Sequence, residues 1–178
     1  TNAQITGYNL VMNNSNLASL AIELGGSYEF YQSTFANYFN FSTSAGPAYS
    51  LYLSNLDNNK NTKALTKATF GNCIFYNERT PNAIVFDKND AVQFNYLFDT
   101  NIIHNADTSK LNVTTATGFL NNITLDPLFE NTSYDANKLW VKEKSPAKKA
   151  GKLTFAQQFP LDYNGNQRGT TPTIGAFQ

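Results

Sequence analysis

Four short stretches of this chain share one template, and it restricts the fold more than any other feature. Each places an apolar residue in an alternating strand, a second large apolar residue five positions on, and then an Asn. The first runs Gln4-Ile5-Thr6-Gly7-Tyr8-Asn9-Leu10 and closes with Asn13; the second runs Tyr28-Glu29-Phe30 through Phe35 to Asn37. The third runs Ala68-Thr69-Phe70 through Phe75 to Asn77. The fourth runs Val92-Gln93-Phe94 to Asn101, with Asp99 where the second apolar residue belongs. The anchors Ile5, Phe30, Phe70 and Phe94 lie 25, 40 and 24 residues apart, one short period with a single insertion. A further strand precedes the later anchors. Leu20, Ile22 and Leu24 alternate with Ser19, Ala21 and Glu23; Leu51 and Leu53 alternate with Ser50 and Tyr52; Ile84 and Phe86 alternate with Val85 and Asp87. Gly25-Gly26, Asn58-Asn59 and Lys88-Asn89-Asp90 punctuate them as turns. No convincing helical run interrupts the pattern.

Short strands at a fixed period are the signature of an array in which each repeat buries its apolar side on its neighbours. The pattern predicts a β-solenoid with equivalent residues stacked at the ~4.8 Å strand spacing. Asn13, Asn37, Asn77 and Asn101 would form a column, each carboxamide donating to the next and tolerating a left-handed corner. An antiparallel sandwich with coincidental spacing is the competing arrangement.

Composition agrees with the β-rich reading and narrows the partners. The chain has 178 residues, a length for one domain. Lys+Arg and Asp+Glu are 13 each, which argues against a nucleic-acid binder, since phosphate affinity needs a clustered basic excess. Twenty-five Asn and 19 Thr keep the surface wet, a usage suited to an extracellular protein. The single Cys73 rules out a disulfide framework and is expected in the core. No run of 18 apolar residues supplies a transmembrane segment. Thr1 opens mid-pattern with no cleavable signal, so further coils are expected upstream.

The last third adds motifs in a fixed order. They are Asn122-Ile-Thr-Leu-Asp126-Pro127-Leu128-Phe129, Leu139-Trp140-Val141, Ser145-Pro146-Ala147, Ala150-Gly151, Asp162-Tyr-Asn-Gly165-Asn-Gln-Arg168 and Ile174-Gly175-Ala176-Phe177. This order resembles the closing segment of bacterial right-handed parallel β-helix proteins of the pectate-lyase-like superfamily. Lys149 and Thr173 stand where that pattern usually has Asp. The resemblance implies an all-β fold, a right-handed parallel β-helix of about four to six coils with a C-terminal capping segment. Residues 1–121 would be the coils, with a long loop at 54–66, and residues 122–178 the last coil and cap. Trp140, Leu153, Phe155, Phe159 and Phe177 would supply apolar cover, and Asp162 and Arg168 a structural ion pair or turn bracket.

The chemistry is sparser than the fold. The catalytic motifs of lyases and pectin-type hydrolases of that superfamily are missing. Glu23 and Asp87 are the best catalytic candidates: both lie on the outward side of a strand, seven before their anchors. At two strand spacings they would stand ~10 Å apart, near the upper end for an inverting glycosidase pair. Tyr52, from the coil between, would offer a sugar-stacking surface. Outward polar residues facing water explain the same positions. Asp57, Asn58 and Asn59 in the long loop are candidates for sugar hydroxyls or Ca2+, although the segment lacks the carboxylate spacing of a calcium loop. No other cofactor and no metal site is expected. His104 is expected to be structural, and the sequons at Asn13, Asn40, Asn112, Asn122 and Asn131 to be chance matches. The resemblance implies a secreted or cell-surface bacterial protein, a monomer, associated with polysaccharide or adhesin-like. A polysaccharide lyase or glycoside hydrolase and a ligand-free structural spacer are the alternatives.

Overall fold

The computed structural model describes residues 3–38, 48–80, 82–104, 113, 116–133 and 138–178. Asn40 and Asn112 lie outside the described residues. The chain is all-β, and its strands recur in a fixed order among three parallel sheets. The first sheet stacks β1 (Gln4–Tyr8), β4 (Gly26–Tyr31), β7 (Leu65–Gly71), β10 (Leu97–Asp99) and β12 (Phe119–Leu120). The second stacks β2 (Val11–Asn13), β5 (Thr34–Asn37), β8 (Ile74–Asn77) and β11 (Ile102–Ile103). The third stacks β3 (Ala18–Ile22), β6 (Tyr49–Ser54) and β9 (Ile84–Asp87). Each of the first three circuits visits these sheets in turn and then lies down beside the circuit before it.

Successive side chains of a strand point to opposite faces, so parallel stacking in register builds inward and outward columns. Phe30, Phe70, Phe98 and Phe119 form one inward column, with ring centroids 5.7, 4.7 and 4.8 Å apart. Met12, Phe35, Phe75 and Ile103 form the second-sheet column. Leu20, Leu51 and Ile84, then Ile22, Leu53 and Phe86, line the third sheet. All join one core, where each buried Phe contributes roughly 1.5–3 kcal/mol. Cys73 lies within it as expected, and burial pushes its thiol up to about 12.

Two anchors move from their sequence-derived places. In the first circuit Gly7, not Ile5, aligns with Phe30. A Cβ on Gly7 would come within 2.8 Å of the Phe30 ring, so the ring from the next circuit fills that space. In the fourth circuit Phe98, not Phe94, aligns with Phe70. Phe94 and Tyr96 alternate just before it and pack on Phe86. Ile103 thereby supplies the second apolar residue, and Asp99 turns outward.

The Asn expectation is corrected in the same way. Asn14, not Asn13, joins Asn37 and Asn77, because Asn13 pairs with Ala36. Their amides clip the second sheet to the chain entering the third: Asn37 donates to the Tyr49 carbonyl, and Asn77 to those of Ala48 (2.7 Å) and Asn82 (2.9 Å). Asn101 sits at the other corner, between the first and second sheets. There the amide-to-amide contact does occur, Asn101 Nδ2 donating to Asn122 Oδ1 at 3.0 Å. One residue earlier, Asn9, Gln32, Asn72, Thr100 and Asn121 are all left-handed, with φ of 53, 51, 53, 60 and 54°. That conformation costs most residues roughly 1–2 kcal/mol, and Asn least among those with a side chain. Asn fills three of the five places.

The tail differs most from expectation. β13 (Phe129–Asn131) and β14 (Lys138–Val141) form an antiparallel pair, and α1 (Leu153–Gln158) is a short helix with no sequence-level signal. Phe129, Leu139, Val141, Ala147 and Ile174 cover the outer face of the second sheet, burying Ala36, Ile74, Tyr76 and Ile102 in a second core. The tail then runs along the corner column. Lys152 pairs with Asp99 at 2.5 Å, and its backbone exchanges two hydrogen bonds with the Asn72 carboxamide (2.7 and 3.0 Å). Phe155 and Phe159 pack on Tyr31, and Phe159 stacks on Tyr8 at 4.3 Å. Arg168 reaches Asn9 Oδ1 at 3.0 Å. The expected cap is thus a lateral brace joining the fourth circuit to the first. Trp140 and Leu153 remain 41% and 38% exposed, so they are not the apolar cover expected of them.

Candidate functional site

The third sheet carries the sequence-derived catalytic candidates. Ile22 pairs with Leu53, so Glu23 follows it beside Ser54, and Ser54 pairs with Asp87 on the next strand. Ser54 is buried and its hydroxyl turns to the Leu56 carbonyl. Tyr52 comes from the strand between, as expected, and is half-buried. Its hydroxyl donates to Asp87 Oδ2 at 2.8 Å. Lys60, from the long loop, places Nζ 3.9 Å from the same oxygen. Burial, then the hydrogen bond to Asp87 and its charge, push the Tyr52 phenol up to about 12. Tyr52 is therefore expected to stay neutral until that pH. Asp87→Asn should move its ionisation down, while burial holds it above the ordinary 10.0. An ultraviolet difference titration against Tyr52→Phe reads both shifts.

Asp57 organises the long loop from within. Its Oδ1 accepts the backbone N–H groups of Asn59 and Asn61, each at 2.9 Å, and its Oδ2 accepts Asn61 Nδ2 at 2.9 Å. Leu56 and Thr62 close the loop as an antiparallel bridge. These bonds, led by the Asn61 side chain, hold the Asp57 carboxyl below the usual carboxylate range. Asn58 and Asn59 are exposed. Asp57 is thus a turn bracket, with three of its bonds made within its own loop.

The same loop recurs in the tail, a repeat that the sequence reading missed. Asp162 Oδ1 accepts Asn164 N–H (2.9 Å) and Asn166 N–H (2.8 Å), Oδ2 accepts Asn166 Nδ2 (3.2 Å), and Leu161 bridges Gln167. Leu56-Asp-Asn-Asn-Lys-Asn61 and Leu161-Asp-Tyr-Asn-Gly-Asn166 share Leu, Asp and two Asn at equal spacing, with Lys60 and Gly165 both left-handed. That spacing was the available signal. Asp162 also accepts the Gln178 N–H at 2.9 Å and is 4% exposed. Burial opposes its ionisation, but the Gln178, Asn166 and Asn164 bonds outweigh it and hold the carboxyl below its ordinary value.

Equal loops in unequal surroundings predict unequal losses. Asp162→Ala should cost about 2–3 kcal/mol, because buried N–H groups lose a charged acceptor. Asp57→Ala should leave the unfolding midpoint unchanged, since water replaces its carboxylate. With its folded pKa depressed, Asp162 contributes stability that is fully present above the unfolded carboxyl value. That contribution is lost as pH falls through the folded value, so Asp162→Asn should flatten the acid limb of a stability-against-pH curve.

Other ionisable groups are similarly engaged. Glu29 accepts the Tyr31 hydroxyl at 2.7 Å and pairs with Lys67 at 2.7 Å; these contacts, Lys67 first, lower its pKa. Tyr76 donates to Glu78, and the His104 ring stacks on Tyr76 at 5.1 Å, the structural role expected of it. Among the described residues no group of three or more His, Cys, Asp or Glu is arranged to hold a metal ion. No helix among them is long and apolar enough to cross a membrane.

No family model, curated protein or solved structure matches the chain.

Proposed function

We propose that this chain forms a right-handed parallel β-helix of about four to six coils. It belongs to a secreted or surface-displayed bacterial protein and serves as a non-catalytic, carbohydrate-associated or adhesin-like module. The repeated first–second–third sheet order and the stacked columns support the β-helix. One observation carries the non-catalytic reading: the Asp87 carboxylate is already held by the Tyr52 hydroxyl and faces Lys60. Its Oδ2 is thereby engaged within the protein, as in a structural pair rather than in a group aimed at a substrate proton. The Tyr52 hydroxyl and the exposed Asn58 and Asn59 of the long loop suit hydroxyl recognition.

A glycan-array measurement tests this, with reducing-end release and unsaturated-product absorbance followed on the same polysaccharides. Binding without turnover is the expected result. Turnover that disappears in Glu23→Gln or Asp87→Asn would replace the reading with a lyase or hydrolase. Silence in both assays would leave a structural spacer.

A further inference from the structure

The tail holds a hollow of about 270 Å3, on elements remote in sequence from the third-sheet candidates. Trp140 and Phe177 line it with Lys148, Asn164 and Asn166, and the Asp162 carboxylate lies among them. In β14 the burial alternates, so Leu139 and Val141 anchor the strand in the second core while Trp140 faces out. The Phe177 ring meets Trp140 at 6.1 Å and 73°, and Tyr163 leans on Phe177 at 5.2 Å. These contacts hold the aromatic wall in place without covering it. Lys138 lies over the indole, 5.6 Å from its centroid, yet does not line the hollow.

The polar side is equally fixed. Asp162 holds Asn166 through both its backbone and its carboxamide, and holds Asn164 and Gln178 through their N–H groups. Its own acceptor positions are filled by those bonds, so neutral amides and Lys148 are left to meet a ligand. The Asn164 side chain is exposed and supplies a donor and an acceptor side by side. An aromatic face bordered by carboxamides matches a molecule with one C–H face and a rim of hydroxyls, each both donor and acceptor.

We infer that this hollow binds one pyranose unit of a glycan, its C–H face on Trp140 and Phe177 and its hydroxyls on Asn164, Asn166 and Lys148. The inference deepens the carbohydrate reading above and rests on it. It places the contact on the brace, away from the sheet that carries Glu23, Tyr52 and Asp87.

Trp140 is the only Trp in the chain, so the intrinsic indole emission reports on this hollow alone. The full chain is titrated with methyl β-glucopyranoside, methyl α-galactopyranoside, methyl α-mannopyranoside and the disaccharides of each. At least one should give a saturable emission change, half-complete at about 1 mM, the range of a single-sugar contact. Asn164→Ala, on an exposed loop, should raise that midpoint tenfold or more without shifting thermal unfolding. Emission indifferent to every sugar, together with array binding that survives Asn164→Ala, overturns this site while sparing the carbohydrate reading. Indifferent emission with a silent array overturns both.

Discussion

Truncating Phe70 to Ala is expected to cost about 3–5 kcal/mol of folding stability, among the larger losses for a single core change. Phe70 is fully buried, stacks between Phe30 and Phe98, and takes the Phe75 ring edge-on at 5.4 Å. Removing it opens a void in the middle of the column, and the flanking rings are held by their own strands and cannot collapse into it. Phe70→Leu, which keeps most of the volume, should lose less than half as much. Urea unfolding reads this as a lower midpoint at unchanged slope. A loss below about 1 kcal/mol would mean that the column does not carry the core.

Arg168→Met should cost nearly as much, about 3–4 kcal/mol, for a different reason. The guanidinium is 5% exposed and donates to the carbonyls of Thr173 (3.4 Å), Gly175 (3.1 Å) and Ala176 (2.9 Å), besides Asn9 Oδ1. Burial lowers its pKa to about 10, against the opposing pull of the Asp162 charge. Met preserves the apolar stem but leaves these acceptors buried and unmet. Lys should not restore them, because a compact ammonium cannot serve several acceptors set around a planar fork. The tail should then become sensitive to protease before the sheets unfold. Equal protection in mutant and parent would refute this view of the brace.

Much of the architecture was legible in the chain, because inward and outward columns follow from period-2 alternation alone. The register was less so, for the same reason. Phe94, Tyr96 and Phe98 alternate equally well, and a slip of two or four residues keeps every ring inward. Only Lys152, far along the chain, shows why Asp99 must face out. Gly7 was passed over because the ring that fills its place belongs to Phe30. Glu23 is exposed and Asp87 half-buried, but the Tyr52–Asp87 bond joins residues 35 apart and has no local trace. The tail motifs were visible as an ordered series, yet nothing local says which face they cover. The likeness of the Asp57 and Asp162 loops, by contrast, was readable from their spacing and was missed.

The brace also has a consequence in time. A stack held only by neighbour-to-neighbour contacts can grow circuit by circuit as its chain is made, and can fray the same way from either end. Here the bonds that secure the Asn9 side chain are made with Leu161 and Arg168, separated from it by 152 and 159 residues. Synthesis adds about 5–20 residues per second, so the earliest strands wait on the order of ten seconds for their last partners. The circuit that carries Asn9 is therefore provisional until the brace has been made. These circuits are secured in one late closing event rather than in a gradual advance.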